Sequence, residues 1–496
     1  MQRRAFCKST IAAAVAATLP GCGSRDAGSV IAAVSSGGEE LSIEAAAISE
    51  LAESLQGGLF LPADPGYAEA KQVWNGMFEN KKPALVVQCL STDDVVAAVT
   101  FARERHLLLA VKGGGHSLPG KSTCDGGMVI DLSHMHSVDV DAGAMTMRAD
   151  GGALLGHLDD AATASNMLTT TGIVSHTGAG GFTLGGGMGR TDRKMGLAID
   201  NLLAATVVTA GGQVLRASAD ENPDLFWGLR GGGGNFGVAT EFVYRLHPFN
   251  PIVYGGDLFY DISREFFEFY WQLHQTLPDE ANIEPQLITG DDGAPVAMVE
   301  VTWCGDHSSG EKALRPMLDF PGLKGGELAP FEYRTLQTRI DGMVAHGIQA
   351  YLKSGFLKEL TPAAIEVMVE YANRGTVGSW FQHLGGATSR VAPDATAYAH
   401  RDVAFNFGIM YAGPDPAANE AGIAAVREFY RDMEPHLAGF YTNLNDDNEQ
   451  KTWGNYGPNY PRLVEIKKRY DPTNLFRLNA NIAVDAAPTG ARATGA

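Results

Sequence analysis

Between Pro83 and Asp150 the apolar positions fall into short runs separated by polar and glycine turns. ALVVQCL, LLLAV, MVIDLS, SVDVD and MTMRAD are each short enough, and rich enough in Val, Ile and Leu, to predict strands. STDDVVAAVTFARERH instead has helical spacing, with Ser91 or Thr92 placed to cap its first turn. Residues 42–56 also have helical spacing, and residues 23–40 before them predict a flexible tether. GIVSHTGAGGFTLGGGMG predicts almost pure loop, and DNLLAATVVTAGGQVL a strand, a turn and a strand. Near residue 250 glycine thins out. Amphipathic SREFFEFYWQLHQTL then alternates with strands such as PVAMVEVTW and VAFNFGIMY, predicting an antiparallel sheet with helices on one face. The tail returns to loops and a helix closed by Asp471-Pro472.

Composition narrows the function classes. With 496 residues, 45% of them hydrophobic, the chain can bury two or three cores. A net charge of -19 repels phosphate backbones and argues against a nucleic-acid partner. MQRRAFCKST followed by IAAAVAATLP resembles a twin-arginine export signal, with an apolar part too short to span a bilayer. LPGC resembles a lipoprotein cleavage box with Cys22 as the lipidated residue, although Pro20 is an unusual occupant there. Cys89, Cys124 and Cys304 are too scattered for a disulfide framework or a zinc site, and His134 and His136 lack further ligand partners, so no metal is expected.

The chain has sixty glycines, and three loops are especially rich in them, at 113–115, 178–189 and 231–237. Glycine loops expose backbone N–H groups to phosphates, which points to one long cofactor threaded through several cradles. No strand–GxGxxG–helix fingerprint opens a βαβ unit. The first loop reads VKGGGHSLPG, and His116 follows its three glycines directly. Taken alone, that stretch fits equally a glycine turn with a surface histidine.

Taken in order, GGGHSLPG, GGMVIDLSHMHSVDVD, GAGGFTLGGGMGRTDRKMGLAIDNLLAATVVTAGGQ, DLFWGLRGGGGNFGVATEF and YGPNYPRLVEIKKRYDPTNLFRLN resemble the berberine-bridge-enzyme-like flavin oxidoreductases. These belong to the vanillyl-alcohol-oxidase and p-cresol-methylhydroxylase (PCMH) superfamily. The resemblance implies an α+β fold in which a two-part PCMH-type FAD-binding domain, residues 57–249 and 441–486, encloses an inserted substrate domain, residues 250–440. It implies FAD attached through His116. Further cofactor contacts are implied at Lys112, Gly113, Gly114, Gly115, Ser117, Thr177, Gly178, Gly180, Gly181, Gly187, Gly189, Asn201, Gly237, Val238, Asn479 and Asn481.

Many relatives attach the flavin a second time through a cysteine. Val174 stands at that position here, so single attachment is expected, as in the family member 6-hydroxy-D-nicotine oxidase. Members oxidise a small organic substrate by hydride transfer to the flavin, with dioxygen commonly taking the electrons and leaving as hydrogen peroxide. Thr177 occupies the place where relatives control oxygen access, and its small size favours an oxidase. Two tyrosines frequent in the family are missing, replaced by Met188 and by Leu444 of YTNL. Tyr441, His176 and Gln382 are the candidates for the proton-handling role, with His383 a further rival, and strand alternation would set Tyr441 opposite Leu444. A dehydrogenase with another electron acceptor, and a degenerate flavin-binding lipoprotein, remain as alternatives. Trp227 is expected in a core, and Lys467, Lys468 and Arg469 on a solvated helix face.

Overall fold

The computed structural model describes residues 30–290, 292–445 and 452–484; the expected export signal and Cys22 lie outside the described residues. The amino-terminal layer is a four-stranded sheet ordered Gly58–Phe60, Leu85–Gln88, Met128–Asp131, Leu109–Lys112. Met128–Asp131 runs parallel to both of its neighbours. Helix Thr92–Glu104, capped by the Ser91 hydroxyl accepting from the Asp94 N–H at 3.2 Å, buries Val95, Ala98, Val99 and Ala102 against it. Two acidic residues in its first turn suit the positive end of the helix dipole.

The expected tether is in part a docked hairpin. Val30–Val34 pairs antiparallel with Glu40–Glu44, and Val34 bonds through its backbone to Gly126 and Leu108 at the edge of the first sheet. Ile43 and Ile48 reach the same core, so burial of a few apolar side chains ties down a segment whose small polar residues predict freedom.

The second layer is a five-stranded antiparallel sheet ordered Val214–Ser218, Leu202–Val208, Val238–Arg245, Thr146–Asp150, Val138–Asp141. Helix Pro223–Leu229 and the C-terminal helix Tyr460–Tyr470 pack into its core, where Trp227 is buried beneath the Arg462 guanidinium at 3.9 Å. Lys467, expected in solvent, is wholly buried. Its ammonium meets the Asp471 carboxylate at 2.6 Å and the carbonyls of Asn235 and Phe476 at 2.8 and 3.0 Å. That set of acceptors satisfies a buried charge and staples the returning chain to the third glycine loop.

The inserted layer is an eight-stranded antiparallel sheet. Strands Ile252–Tyr260, Pro295–Trp303, Ala281–Thr289, Gly378–His383, Phe405–Gly413 and Gln349–Leu357 follow one another across it. Helices Arg264–His274, His307–Asp319, Pro362–Arg374 and Asn419–Met433 share one apolar core with this sheet. The segment after the second glycine loop clamps this sheet to the rest. Arg193 donates to the carbonyls of Ala281, Leu384 and Leu277, and Arg190 pairs with Glu300.

Candidate active site

The three glycine loops converge. The first ends the strand Leu109–Lys112, and the second begins beside it, with Gly114 packed on Gly178. A Cβ on Gly114 would lie 2.4 Å from the Gly178 nitrogen, and a Cβ on Gly178 would lie 2.3 Å from the Gly114 nitrogen. Only glycine permits this crossing of two backbones. The second loop is not all coil, since Ala179–Leu184 closes into a helix whose first turn presents Gly180 and Gly181. Open space lies where a Gly181 side chain would point. Beside the crossing runs a cleft of about 420 Å³, lined by Lys112, Gly113, Gly114, Leu154, His176 and His346 among others.

His116 sits at this crossing. Its ring stacks on Trp74 with centroids 4.3 Å apart and planes 19° from parallel. Its Nε2 lies 3.1 Å from Nδ1 of His176, whose own ring lies 5.2 Å from that of His346. His116 is itself only partly buried, and its partner His176 lines the cleft. Burial, reinforced by the two neighbouring histidines, pushes its pKa down to about 3. The imidazole is therefore neutral at physiological pH, as a nucleophile must be. Trp74 and His346 carried no motif by which to single them out. They arrive from segments 42 and 230 residues away from His116 in sequence, by difference of their numbers.

A turn of the inserted segment, residues 341–347, covers this corner. The Ser175 N–H and hydroxyl both donate to the Asp341 carboxylate, the indole N–H of Trp74 donates to the Val344 carbonyl, and the Gly347 N–H donates to the Trp74 carbonyl.

The other nominated residues divide. The Lys112 ammonium lines the cleft but is held by Asp131 at 3.0 Å and by the Ala70 carbonyl at 2.6 Å, so its charge is already balanced. The Ser117 hydroxyl accepts from the Lys121 N–H at 3.0 Å. Gly115 takes a left-handed φ of 66° and receives the Trp74 N–H on its carbonyl. The Thr177 carbonyl accepts from the Leu155 N–H. A Cβ on Gly189 would lie 1.7 Å from the Thr171 carbonyl oxygen, so that glycine serves a close backbone approach. Asn201 is drawn away from any cofactor role, because its amide donates to Met195 and Leu197 and its oxygen meets His247 Nε2 at 2.6 Å. Gly237 and Val238 open a strand, and the Val238 side chain packs in the first core, leaving only backbone to offer. Asn479 donates to the Gly234 carbonyl at 2.8 Å, while Asn481 keeps a buried side-chain oxygen with no partner.

Tyr441 and Leu444 do not alternate on a strand. Residues 441–444 form a turn closed by the Leu444 N–H on the Tyr441 carbonyl, and both side chains join one apolar cluster with Met188, Tyr398 and Phe356. The Tyr441 phenol oxygen accepts from the Gly187 N–H and the Asn443 amide, each at 3.0 Å. Burial pushes its pKa up to about 12, against those two donors. It is a neutral phenol, poorly suited to take a proton near pH 7. Gln382 accepts from the Asn406 amide at 2.8 Å. His383 is fully buried between His274 and the Ile283 N–H, and that burial holds it neutral, well below its ordinary range. Among the nominated proton handlers, His176 alone keeps a buried ring nitrogen, Nε2, with no partner.

Beyond this corner a buried polar row crosses the sheet where the two layers meet. Glu300 stands opposite Glu284 in register. Burial disfavours charge on Glu300, but Arg190 and Arg339 hold it ionised, below the usual carboxylate range. Glu284 has no such cation to itself, and burial beside Glu300 raises its pKa to about 7. A carboxyl raised in the folded state binds more protons there than in the unfolded chain between about pH 4.5 and 7, so its contribution falls as pH rises through that window. Glu284→Gln is therefore expected to raise stability at pH 8 by about 1–3 kcal/mol and to change it little at pH 4. Urea unfolding at the two pH values checks this.

The residues fit a flavin adenine dinucleotide. Glycine backbones cross without side chains, space lies open over Gly181, and unpartnered buried polar atoms remain at His176 and Asn481. A family model described as an FAD binding domain matches residues 83–218, and one described as berberine and berberine like matches residues 440–483. An FAD-linked oxidoreductase of Dictyostelium discoideum is 30% identical over 446 residues, covering 88% of this chain and 96% of its own. The (R)-6-hydroxynicotine oxidase of Paenarthrobacter nicotinovorans is 31% identical, covering 86% and 97%. The crystal structure of 6-hydroxy-D-nicotine oxidase from Arthrobacter nicotinovorans superposes with a TM-score of 0.79 at 27% identity, covering 87% of this chain and 98% of that one. The convergent glycine cradles and these full-length similarities lead to one conclusion: the chain belongs to the berberine-bridge-enzyme-like FAD-linked oxidoreductases of the vanillyl-alcohol-oxidase and PCMH superfamily.

Proposed function

We propose that this oxidoreductase is an exported oxidase of a small amine- or hydroxyl-bearing molecule, carrying its FAD on His116 alone. The observation that carries this reading is the neutral His116 imidazole, packed on Trp74 beside the crossing of the first two glycine loops. Bound there, FAD would supply the hydride acceptor, and dioxygen would take the electrons as hydrogen peroxide. Val174 offers no second nucleophile. Cys124 is a buried thiol whose pKa that burial pushes up to about 12, which suppresses the reactive thiolate.

The chain's own groups then bind and orient. Gly113, Gly114, Gly178 and Gly181 offer backbone without side chains to a long dinucleotide, and Asn481 offers an unpartnered oxygen. Thr177, beside the crossing, leaves a small side chain where bulk would obstruct dioxygen. The neutral Tyr441 phenol and the paired Gln382 amide handle no proton readily. That favours a substrate whose own lone pair drives C–H oxidation, an amine before an alcohol. Arg3 and Arg4 support export by the twin-arginine route, and Cys22 a lipid anchor.

A panel of secondary amines, phenolic alcohols and oligosaccharides, screened for peroxide release by the purified holoenzyme, tests the reaction. Peroxide with at least one amine is the expected result. Flavin bleaching without oxygen consumption would turn the assignment to a dehydrogenase, and no bleaching with any reductant substrate would leave only a flavin-binding protein.

A further inference from the structure

We infer that His176 is the positioning residue that fixes the tautomer of His116 and takes its proton when the flavin bond forms, with His346 passing that proton to solvent. This rests on the single His116 attachment proposed above. The geometry is a line of three imidazoles. His116 Nε2 faces His176 Nδ1 at 3.1 Å, and the His176 and His346 rings follow at 5.2 Å. His176 and His346 both line the open cleft, and His346 is exposed at its rim. The far nitrogen of His176 is buried and makes no hydrogen bond, to His346 included, so the last transfer requires a turn of the His346 ring or a water between the two rings.

The hydrogen bond decides which nitrogen reacts. With Nε2 engaged by His176, Nδ1 is the His116 atom left to bond carbon. Nδ1 has a free lone pair only in the tautomer whose Nε2 carries the proton, and that tautomer donates to His176 Nδ1. Stacking on Trp74 and the Ser175–Asp341 pairing hold both rings in this relation.

The step balances as follows. The Nδ1–carbon bond replaces one C–H bond of the flavin's 8α methyl group. One proton leaves that methyl and one leaves His116 Nε2, and the two electrons pass through the ring to dioxygen, which leaves as hydrogen peroxide. His176 Nδ1 receives the imidazole proton and Nε2 releases one toward His346. Without that acceptor, His116 would have to remain an imidazolium, which its burial opposes.

The test uses full-length chain produced under riboflavin limitation, mixed with FAD in air. Intact mass under denaturing conditions follows the covalent adduct over time, and gel filtration with absorbance measures flavin held before denaturation. Wild type is expected to acquire one FAD. His176→Ala is expected to hold flavin yet link it at least tenfold more slowly, with added imidazole restoring the rate as a replacement proton acceptor. His346→Ala, at an exposed position, is expected to slow linkage severalfold and to report on the relay should His176→Ala fail to fold. Linkage at the wild-type rate in either variant overturns the relay, and slow linkage that imidazole does not restore overturns proton acceptance by His176. Wild type with flavin bound but no adduct overturns the attachment itself, a separate outcome.

Discussion

Arg190→Met is expected to lower the unfolding free energy by about 3–5 kcal/mol, the range for breaking a buried ion pair from one side. Arg190 is almost wholly buried, donates to both carboxylate oxygens of Glu300 and reaches the Gln337 oxygen at 2.6 Å. Gln337 in turn donates to Asp159, Thr171 and the Gly172 carbonyl, so the pair is one node of a network spanning both layers. Arg339 would remain beside Glu300, but it is part-exposed and also serves Asp257. Asp159, already raised to about 6 by burial, would lose a nearby positive charge as well. Urea unfolding of the holoenzyme should show the lowered midpoint. Arg190→Met combined with Glu300→Gln should recover part of the loss, because the stranded charge is then gone. Unchanged stability in the single variant would mean that water or Arg339 satisfies Glu300 unaided.

Gly114→Ala is expected to strip the enzyme of flavin, with bound FAD falling at least about tenfold, and to cost about 1–3 kcal/mol through overpacking. Its Cβ would meet backbone, the Gly178 nitrogen at 2.4 Å and Cα at 2.6 Å, rather than the yielding tip of a side chain. The two loops would have to part, and each carries half of the cradle. Gly325→Ala, where nothing lies within 4 Å, is the matched control and should retain flavin and stability. Absorbance of the purified proteins and their thermal midpoints check both. Normal flavin content in Gly114→Ala would show that the crossing does not shape the cradle.

Local elements were legible where short-range chemistry decides them. Ser91 and Ser263 each accept the N–H three residues on, and the helices start where those hydroxyls cap them. The paired strands Leu202–Val208 and Val214–Ser218 flank a turn marked by Gly211-Gly212. Long-range partners were not legible. YTNL resembles a strand in pattern, yet Tyr441 lies in a turn because the Gly187 N–H, 254 residues away, holds its phenol. Lys467 reads as a solvated lysine until the fold brings the Asn235 carbonyl of the third glycine loop and the Phe476 carbonyl beyond Pro472 to join Asp471, its neighbour one helical turn on.

By itself the sequence determined the family, its FAD cofactor and the three glycine loops, and it nominated His116. These depend on residue type at fixed spacing, and apolar periodicity is a local property of the chain, whereas the clearance a glycine gives is taken up by a distant segment, as Gly114 by Gly178. Only the tertiary structure decided which groups remain free to act. Asn201, Lys112, Gln382 and Tyr441 are all plausible ligands or bases until their polar atoms meet partners from distant segments. Trp74 and His346 acquire meaning only when the fold stacks the first on His116 and sets the second beside His176. Protonation and hydrogen-bond state follow from burial and neighbours, and those are set in three dimensions.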